Sequence, residues 1–377
     1  MNARLAMVCS GLGHVRRGNE SWASAVAEGL HAAGVNVTLF GGGPLRTAVP
    51  YVRVRSVPRE TPLLRRCLSW HYRYLLEQVS FGAALRRHLR RAPCDLVHVA
   101  DPALALRLHR QAPQLKTRVI YKDGLLLGPP WCRKFDFVQV LAPYYRDAAV
   151  AEGVNTRNWF VVPHLVDVQQ FRPAPDRAAV RASLFKSSVP GDAFVILAVG
   201  DFSPASNKRL NWIVQEAAPL RDGSNLRLVF AGQSSRPEQI QFEQLARASL
   251  GDRVHVLANI APDQMPGLYQ AADGFAHAAV REPFGIVFLE ALASGLPIVA
   301  HQYPVTQWIL GDAGLTVDMT TRGQLGKVLA DWQQEPARRM ALASAARRRA
   351  ETVFARENIL PLYHEMYRQV LEAAVAR

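Results

Sequence analysis

Cysteine is scarce. Four occur in 377 residues, Cys9, Cys67, Cys94 and Cys132, and none forms a C-x-x-C pair. This spacing speaks against a disulfide framework and against a cysteine zinc site, and it predicts reduced thiols. No run approaches the ~20 apolar residues of a membrane span. The apolar stretch after Met1 is too short for a signal peptide and glycines follow at once, so a cytoplasmic protein is expected. Neither a short-period repeat nor a disordered tail is visible. The first half is also short of acid. Residues 1–165 hold 23 Lys/Arg against 10 Asp/Glu, whereas residues 166–377 are nearly balanced at 22 against 21. The excess is densest from Arg46 to Arg91. It suggests an acidic partner, namely a phosphorylated or acidic substrate, an anionic lipid surface or nucleic acid, or else a solvated arginine-rich face. With no zinc-finger or RRM-like signature, nucleic acid is not the expected partner.

What is present is an alternation of short apolar runs and amphipathic segments in a chain long enough for two cores. Leu5–Cys9 reads as a buried strand, residues 10–18 as a glycine-rich loop, residues 20–33 as a helix and Val35–Phe40 as a second strand, which is a βαβ unit. The loop matches G-x-G-x-x-G only in part, because Arg16 stands where a third glycine would. No acid ends the second strand to take a ribose, so the dinucleotide fingerprint is weak. Residues 61–92 read as one long arginine-rich helix. Its Trp70, His71, Tyr72 and Tyr74 suit either a membrane surface or packing against the sheet. Residues 164–175, rich in proline and without periodicity, read as the linker. After it the alternation resumes from Ala193 onward, with a helix over 207–218. The expected architecture is two α/β units with parallel sheets and a ligand cleft between them.

The most informative stretch runs from Arg281 to Gly295, R-E-P-F-G-I-V-F-L-E-A-L-A-S-G. Pro283 fits a helix entry, Gly295 fits a helix exit, and Ile286 to Ala293 is apolar except for Glu290. A carboxylate in such a buried helix needs a partner. Glu282 lies just ahead of the helix, where free N–H groups and the positive end of the dipole favour an anion. The stretch suits a ligand site, or ordinary core with a satisfied glutamate.

In this context the whole chain resembles family 4 retaining glycosyltransferases of the two-Rossmann GT-B fold. The resemblance rests on Glu282-(x7)-Glu290, and on four further stretches in matching order: Gly11 to Gly18, Val161 to Phe171, Val199 to Lys208 and Leu268 to Asp273. It implies domains 1–165 and 166–359, with a final helix, about 360–374, returning so that 360–377 pack on the first domain. It also implies a donor that is a nucleoside diphosphate sugar, bound without cofactor or metal. No Asp-x-Asp pair is present, in agreement. Glu290 would take the ribose hydroxyls and Glu282 the transferred sugar. The amides of Phe284, Gly285, Ile286 and Val287 would face sugar and phosphates, and Lys208 the diphosphate. Arg209 would stand in for a family arginine whose place is held by Asp201, a carboxylate expected to repel phosphate. His277 reads as a sugar contact. Gly11, Gly13, His14 and Arg16 in the first loop, with Lys122 or Asp123 where the family has a histidine, are acceptor-side candidates. His14 suits an acceptor or phosphate contact, or a bond to its own backbone. A nucleotide-sugar epimerase or phosphorylase, or a degraded transferase that binds without turnover, would share the architecture.

Overall fold

The computed structural model describes residues 3–15 and 17–373. The chain divides into two compact units, Met1–Leu165 with Arg356–Arg377, and Val166–Ala355. The first unit carries seven strands: β1 Leu5–Cys9, β2 Val37–Gly41, β3 Tyr51–Arg53, β4 Leu96–Val99, β5 Arg118–Lys122, β6 Phe137–Val140 and β7 Trp159–Val161. They lie in the order β3-β2-β1-β4-β5-β6-β7 and every pairing is parallel. The second unit carries β8 Phe194–Val199, β9 Leu226–Gly232, β10 Val254–Ala258, β11 Gly274–His277, β12 Ile298–His301 and β13 Gly314–Val317. Their order is β10-β9-β8-β11-β12-β13, again all parallel.

Parallel strands need crossovers, and here helices supply them except between β2 and β3, where residues 42–50 cross without a helix. The central strands are therefore apolar at nearly every position; in β8, Val195, Ile196, Leu197 and Ala198 are all buried. In each unit the chain begins mid-sheet, builds outward to one side, then returns to the other side of its first strand. The crossovers separate between β1 and β4, and between β8 and β11. In open α/β sheets that reversal, at the carboxyl ends of the strands, is where ligands bind.

Two expectations need correction. Residues 61–92 form two helices, Pro62–Cys67 and Trp70–Arg91, because Leu68 and Ser69 are extended and Ser69 occupies the N-cap of the second. The final helix spans Arg356–Glu372, beginning four residues before Leu360. Its Tyr363, Met366, Tyr367 and Val370 join Leu5, Met7, Trp22 and Leu30 in one core. Trp22 Nε1 donates to the Tyr363 hydroxyl at 2.8 Å, Gln139 Nε2 donates to the same oxygen at 3.0 Å, and His98 Nδ1 lies 2.9 Å from the Tyr367 hydroxyl. Burial pushes the His98 imidazole down to about 3, so it sits neutral in the core.

Two glycines fix the carboxyl edge of the second sheet. The Gly200 amide bonds Ala231 O at 2.9 Å, and a Cβ on Gly200 would stand 2.7 Å from Lys208 Cβ. A Cβ on Gly232 would overlap the Gly200 carbonyl oxygen. The backbone after β8 can reach its place only because both residues lack side chains. Gly232→Ala is expected to destabilise the second unit by about 2–3 kcal/mol. Gly191→Ala, with open space around the new methyl, should change stability by less than about 0.5 kcal/mol. Denaturant unfolding of the two variants side by side checks this.

Candidate functional site

In the second unit, the loop after β8, the end of β11 and the start of the helix Ile286–Ala293 converge at the switch point. That helix is held as the sequence suggests. Phe288, Leu289, Ala291, Leu292 and Ala293 are buried, and Gly285 takes φ +84° at its N-cap. A side chain on Gly285 would be strained by that φ, and its Cβ would stand 2.7 Å from Phe288 Cδ2. The Phe288 amide bonds Gly285 O at 2.9 Å, and the amides ahead of it have no carbonyl one turn back, as at any helix start.

Glu282 is the hub. Its Oε2 accepts from Lys208 Nζ and lies 3.0 Å from His277 Nε2. Lys208 is 74 residues away and arrives on the loop that Gly200 allows. Burial opposes the Glu282 charge, but the Lys208 ammonium and the His277 hydrogen bond outweigh it and hold the carboxyl at about 2. His277 is itself buried against Phe288, with ring centroids 4.8 Å apart, and burial pushes its imidazole below the usual range. A neutral ring donating from Nε2 to Glu282 satisfies both facts. His277 thus stands behind the carboxylate and orients it.

Glu290 is half-buried one turn into the helix, and the Tyr269 hydroxyl donates to its Oε2 at 2.6 Å. Burial raises the Glu290 carboxyl, partly offset by that bond. The partner demanded by a carboxylate in an apolar helix is thus a phenol, and Tyr269 is a site residue that the sequence reading passed over. The signal lay in the Leu268–Asp273 stretch, but nothing there says which side chain reaches position 290.

Arg209 has φ +50°, and its Nη1 donates to Met319 O at 2.9 Å and Ala278 O at 3.3 Å. Its guanidinium also covers the Trp212 ring at 4.6 Å. It therefore lies along the carboxyl edge of β11, tied to backbone. Asp201 is exposed, and its Oδ1 accepts the Ser203 N–H at 2.7 Å in a local turn. Phe284 has a buried side chain, so only its backbone bears on the site. Among the described residues no group of three His, Cys, Asp or Glu could hold a metal ion.

The first unit gathers charge at its own switch point. Arg59, buried, pairs with Glu20 at 3.0 Å and with Glu77 at 3.2 Å. Glu77 also takes His14 Nε2 at 2.9 Å, Ser10 Oγ at 3.1 Å and the Arg59 amide at 2.7 Å. Burial would raise Glu77, but the His14 bond and the Arg59 charge prevail and lower it. Asp101, also buried, accepts the Ser10 N–H and the Tyr74 hydroxyl, each at 2.7 Å. His14 therefore engages a buried carboxylate, instead of its own backbone. Gly11 and Gly13 are spaces that the protein itself uses: a Cβ on Gly13 would meet Gly43 C at 2.6 Å, and one on Gly11 would strike Glu20 and Arg59. Arg16 lies outside the described residues.

Lys122 ends β5 fully buried. Its Nζ donates to Asn19 Oδ1 at 3.0 Å and sits 4.6 Å from the centroid of the Trp22 ring. Burial pushes the ammonium down to about 8, against the pull of Asp123. Gly124 leaves it room, since a Cβ there would stand 2.7 Å from Nζ. Asp123 accepts the Leu125 N–H at 3.3 Å and faces Cys132 Sγ at 3.5 Å, a turn-fixing role. Arg59, Glu20 and Glu77 were not legible as a set: they come from a loop and two helices and carry no motif.

Two parallel α/β units with a charged constellation at the second switch point define the two-Rossmann GT-B class of fold. Solved structures agree on this fold. Sucrose-phosphate synthase from Thermosynechococcus elongatus superposes with a TM-score of 0.83 at 21% identity, over 99% of this chain and 100% of that one. Anabaena Alr3699/HepE in complex with UDP and glucose gives 0.78 at 17%, over 97% and 100%. Residues 180–349 match the model of the glycosyl transferases group 1 family. Among curated relatives, the D-inositol 3-phosphate glycosyltransferase of Kineococcus radiotolerans is 34% identical over 218 residues, 53% of this chain and 49% of the relative. That of Nocardia farcinica is 33% identical over 259 residues, 66% and 53%. The chain spans about half the length of these curated relatives.

The Glu282 environment has a pH signature. Its folded pKa lies below the ordinary value of 4.5, so its stabilising effect is complete above about pH 4.5 and is lost as pH falls toward 2. Glu282→Gln is expected to be less stable than the parent at pH 7. The difference should shrink steadily from pH 5 to pH 2.5 in thermal unfolding of the pair. A gap that stays constant with pH would show that the carboxylate does not carry the effect.

Proposed function

We propose that the protein is a retaining glycosyltransferase that moves a sugar from a nucleoside diphosphate sugar to an acceptor, without a metal ion. The observation that carries this reading is the convergence of Lys208 and the start of helix Ile286–Ala293 on the buried Glu282 carboxylate. Lys208, with Arg209 nearby, and the amides of Phe284 to Val287 supply positive potential for a diphosphate. On donor binding, Lys208 exchanges its carboxylate partner for phosphate oxygens. Glu282, held by His277, then bonds the sugar and steadies positive charge that develops at its anomeric carbon. Glu290 takes the ribose hydroxyls, with Tyr269 fixing its orientation.

The reaction breaks the bond between the anomeric carbon and the phosphate oxygen, and forms one to the acceptor oxygen on the same face. The acceptor proton passes to the departing phosphate oxygen, so no carboxylate nucleophile is required. Anabaena Alr3699/HepE is described in complex with UDP and with UDP-glucose, which supports a nucleotide-sugar donor. The acceptor is acidic or phosphorylated and is taken by the basic first unit near His14, Lys122 and Asp123. The name of the inositol 3-phosphate relatives favours such an acceptor. Exposed Leu63, Trp70, Tyr72 and Val79, among arginines, support peripheral contact with the inner face of a membrane by a cytoplasmic protein. Asp201, turned into its own loop, gives no support to the reading of a degraded, binding-only protein.

Incubation with UDP-, GDP- and ADP-sugars, following nucleotide release with and without EDTA, tests this. One donor is expected to be hydrolysed slowly, with no effect of EDTA. Lys208→Ala should reduce the rate about 10²–10³-fold, and Glu290→Ala should abolish measurable turnover at sub-millimolar donor. The product anomer should match that of the donor by NMR. Saturable nucleotide binding without release in the presence of varied acceptors would make the protein a binding subunit; an inverted product would remove retention.

A further inference from the structure

The first unit holds a second basic feature that the donor chemistry does not use. Ala83, Arg86, Arg87, Arg90 and Arg91 from the helix Trp70–Arg91, with Arg107 from the helix Pro102–Leu115, line a pocket of about 360 Å³. The two helices approach closely at Gly82, where a Cβ would stand 2.9 Å from Leu104 Cδ1 and 3.5 Å from Arg107 Cδ. That approach brings the Arg107 stem across to the other helix and closes the pocket wall.

Five guanidinium groups on one pocket need an explanation. Basic residues in a last helical turn complement the dipole, which accounts for Arg90 and Arg91. It does not account for Arg86 and Arg87, a turn earlier, or for Arg107 on another helix. Arg86 and Arg90, and Arg87 and Arg91, are spaced i, i+4, so each pair is mutually repulsive on the helix surface. Among the described residues none of the five forms an ion pair with a carboxylate, although Arg65 and Arg73 nearby both have Glu60. Arg86 Nε is buried without a hydrogen-bond partner. Arg107 Nη1 donates to Val79 O at 3.4 Å, but no carboxylate neutralises the cluster, and a concave set of such donors suits tetrahedral oxyanions.

Position separates this pocket from the acceptor-side cluster. Glu77, on the same helix, bonds His14 and Arg59 at the carboxyl edge of the sheet. Arg86 to Arg90 lie nine to thirteen residues further on, roughly 14–20 Å along the axis, toward the start of β4. The same face of the helix continues from Ala83 back through exposed Val79, Leu76, Leu75 and Tyr72. Those positions fall on one stripe at helical spacing, apolar at one end and basic at the other.

We propose that this pocket binds a phosphate-bearing group, a phosphodiester or pyrophosphate, at a site separate from the donor site. The inference stands independently of the glycosyl-transfer reading.

Inorganic pyrophosphate is the probe for titration calorimetry, in the Lys208→Ala protein so that the donor site is silenced. Binding is expected to persist there and to weaken tenfold or more when Arg86→Gln, Arg87→Gln and Arg90→Gln are added, with an unchanged unfolding midpoint. Sedimentation with phosphatidylglycerol or phosphatidylcholine vesicles identifies the source. Pelleting with the anionic vesicles alone, lost in the arginine variant, assigns a lipid headgroup; pyrophosphate binding without pelleting assigns a soluble ligand. A variant that keeps the parent's pyrophosphate affinity and pelleting, or a parent that shows neither, overturns the proposal. Donor hydrolysis by the arginine triple variant with Lys208 intact is expected to equal that of the parent. Failure of this site and failure of the transferase reading are therefore read on different assays.

Discussion

A parallel strand cannot turn straight back into its neighbour, and that constraint governs both units. Each strand must be followed by a crossover, usually a helix, and each sheet reverses direction beside its first strand. The reversal leaves the loops after β1 and β4, and after β8 and β11, diverging at the carboxyl edge. Whatever charge the sequence places in those loops is drawn together there. In the second unit these groups are Lys208 and Glu282, joined by His277 at the end of β11; in the first they are His14 and Asp101, joined by Lys122 at the end of β5, with Arg59, Glu20 and Glu77 locked beside them.

The two constellations differ in electrostatic character. Around Glu282, ammonium and imidazole donors outweigh desolvation, and the carboxylate stays ionised far below its usual range. Around Glu290 one phenol does not, and the carboxyl rises. Two glutamates eight residues apart on one motif are thus tuned in opposite directions by a partner set that local sequence does not contain. In the first unit, Lys122 has an indole face and one amide oxygen for its ammonium, so burial dominates and its proton is held more loosely.

The strands were readable because burial on both faces leaves continuous apolar runs such as Phe194–Val199. The helix Ile286–Ala293 was readable from Pro283, Gly295 and the apolar run between them. The break at Leu68–Ser69 was not, since the basic and apolar pattern runs through it without a glycine or proline. Pairings across long separations were equally hidden: Lys208 with Glu282, Tyr269 with Glu290 and Arg59 with Glu77 all depend on which loop ends meet. The arginines of residues 46–91 look alike in sequence, yet Arg59 is a buried structural cation, Arg73 pairs with Glu60, and Arg86 to Arg91 line an open pocket. Composition reported the excess charge; only the fold divides it by role.

The helix Arg356–Glu372 completes the core of the first unit, although the whole second unit intervenes in the chain. A ribosome adding residues in order therefore exposes a finished second unit, ending at Ala355, before the first can close. Until residues 363 and 367 emerge, the Trp22 indole, the Gln139 amide and the His98 imidazole lack the phenols that satisfy them. The order of maturation is the reverse of the order of synthesis. The earlier-made half waits longest, and during that interval it is the half that chaperones and proteases meet unfinished.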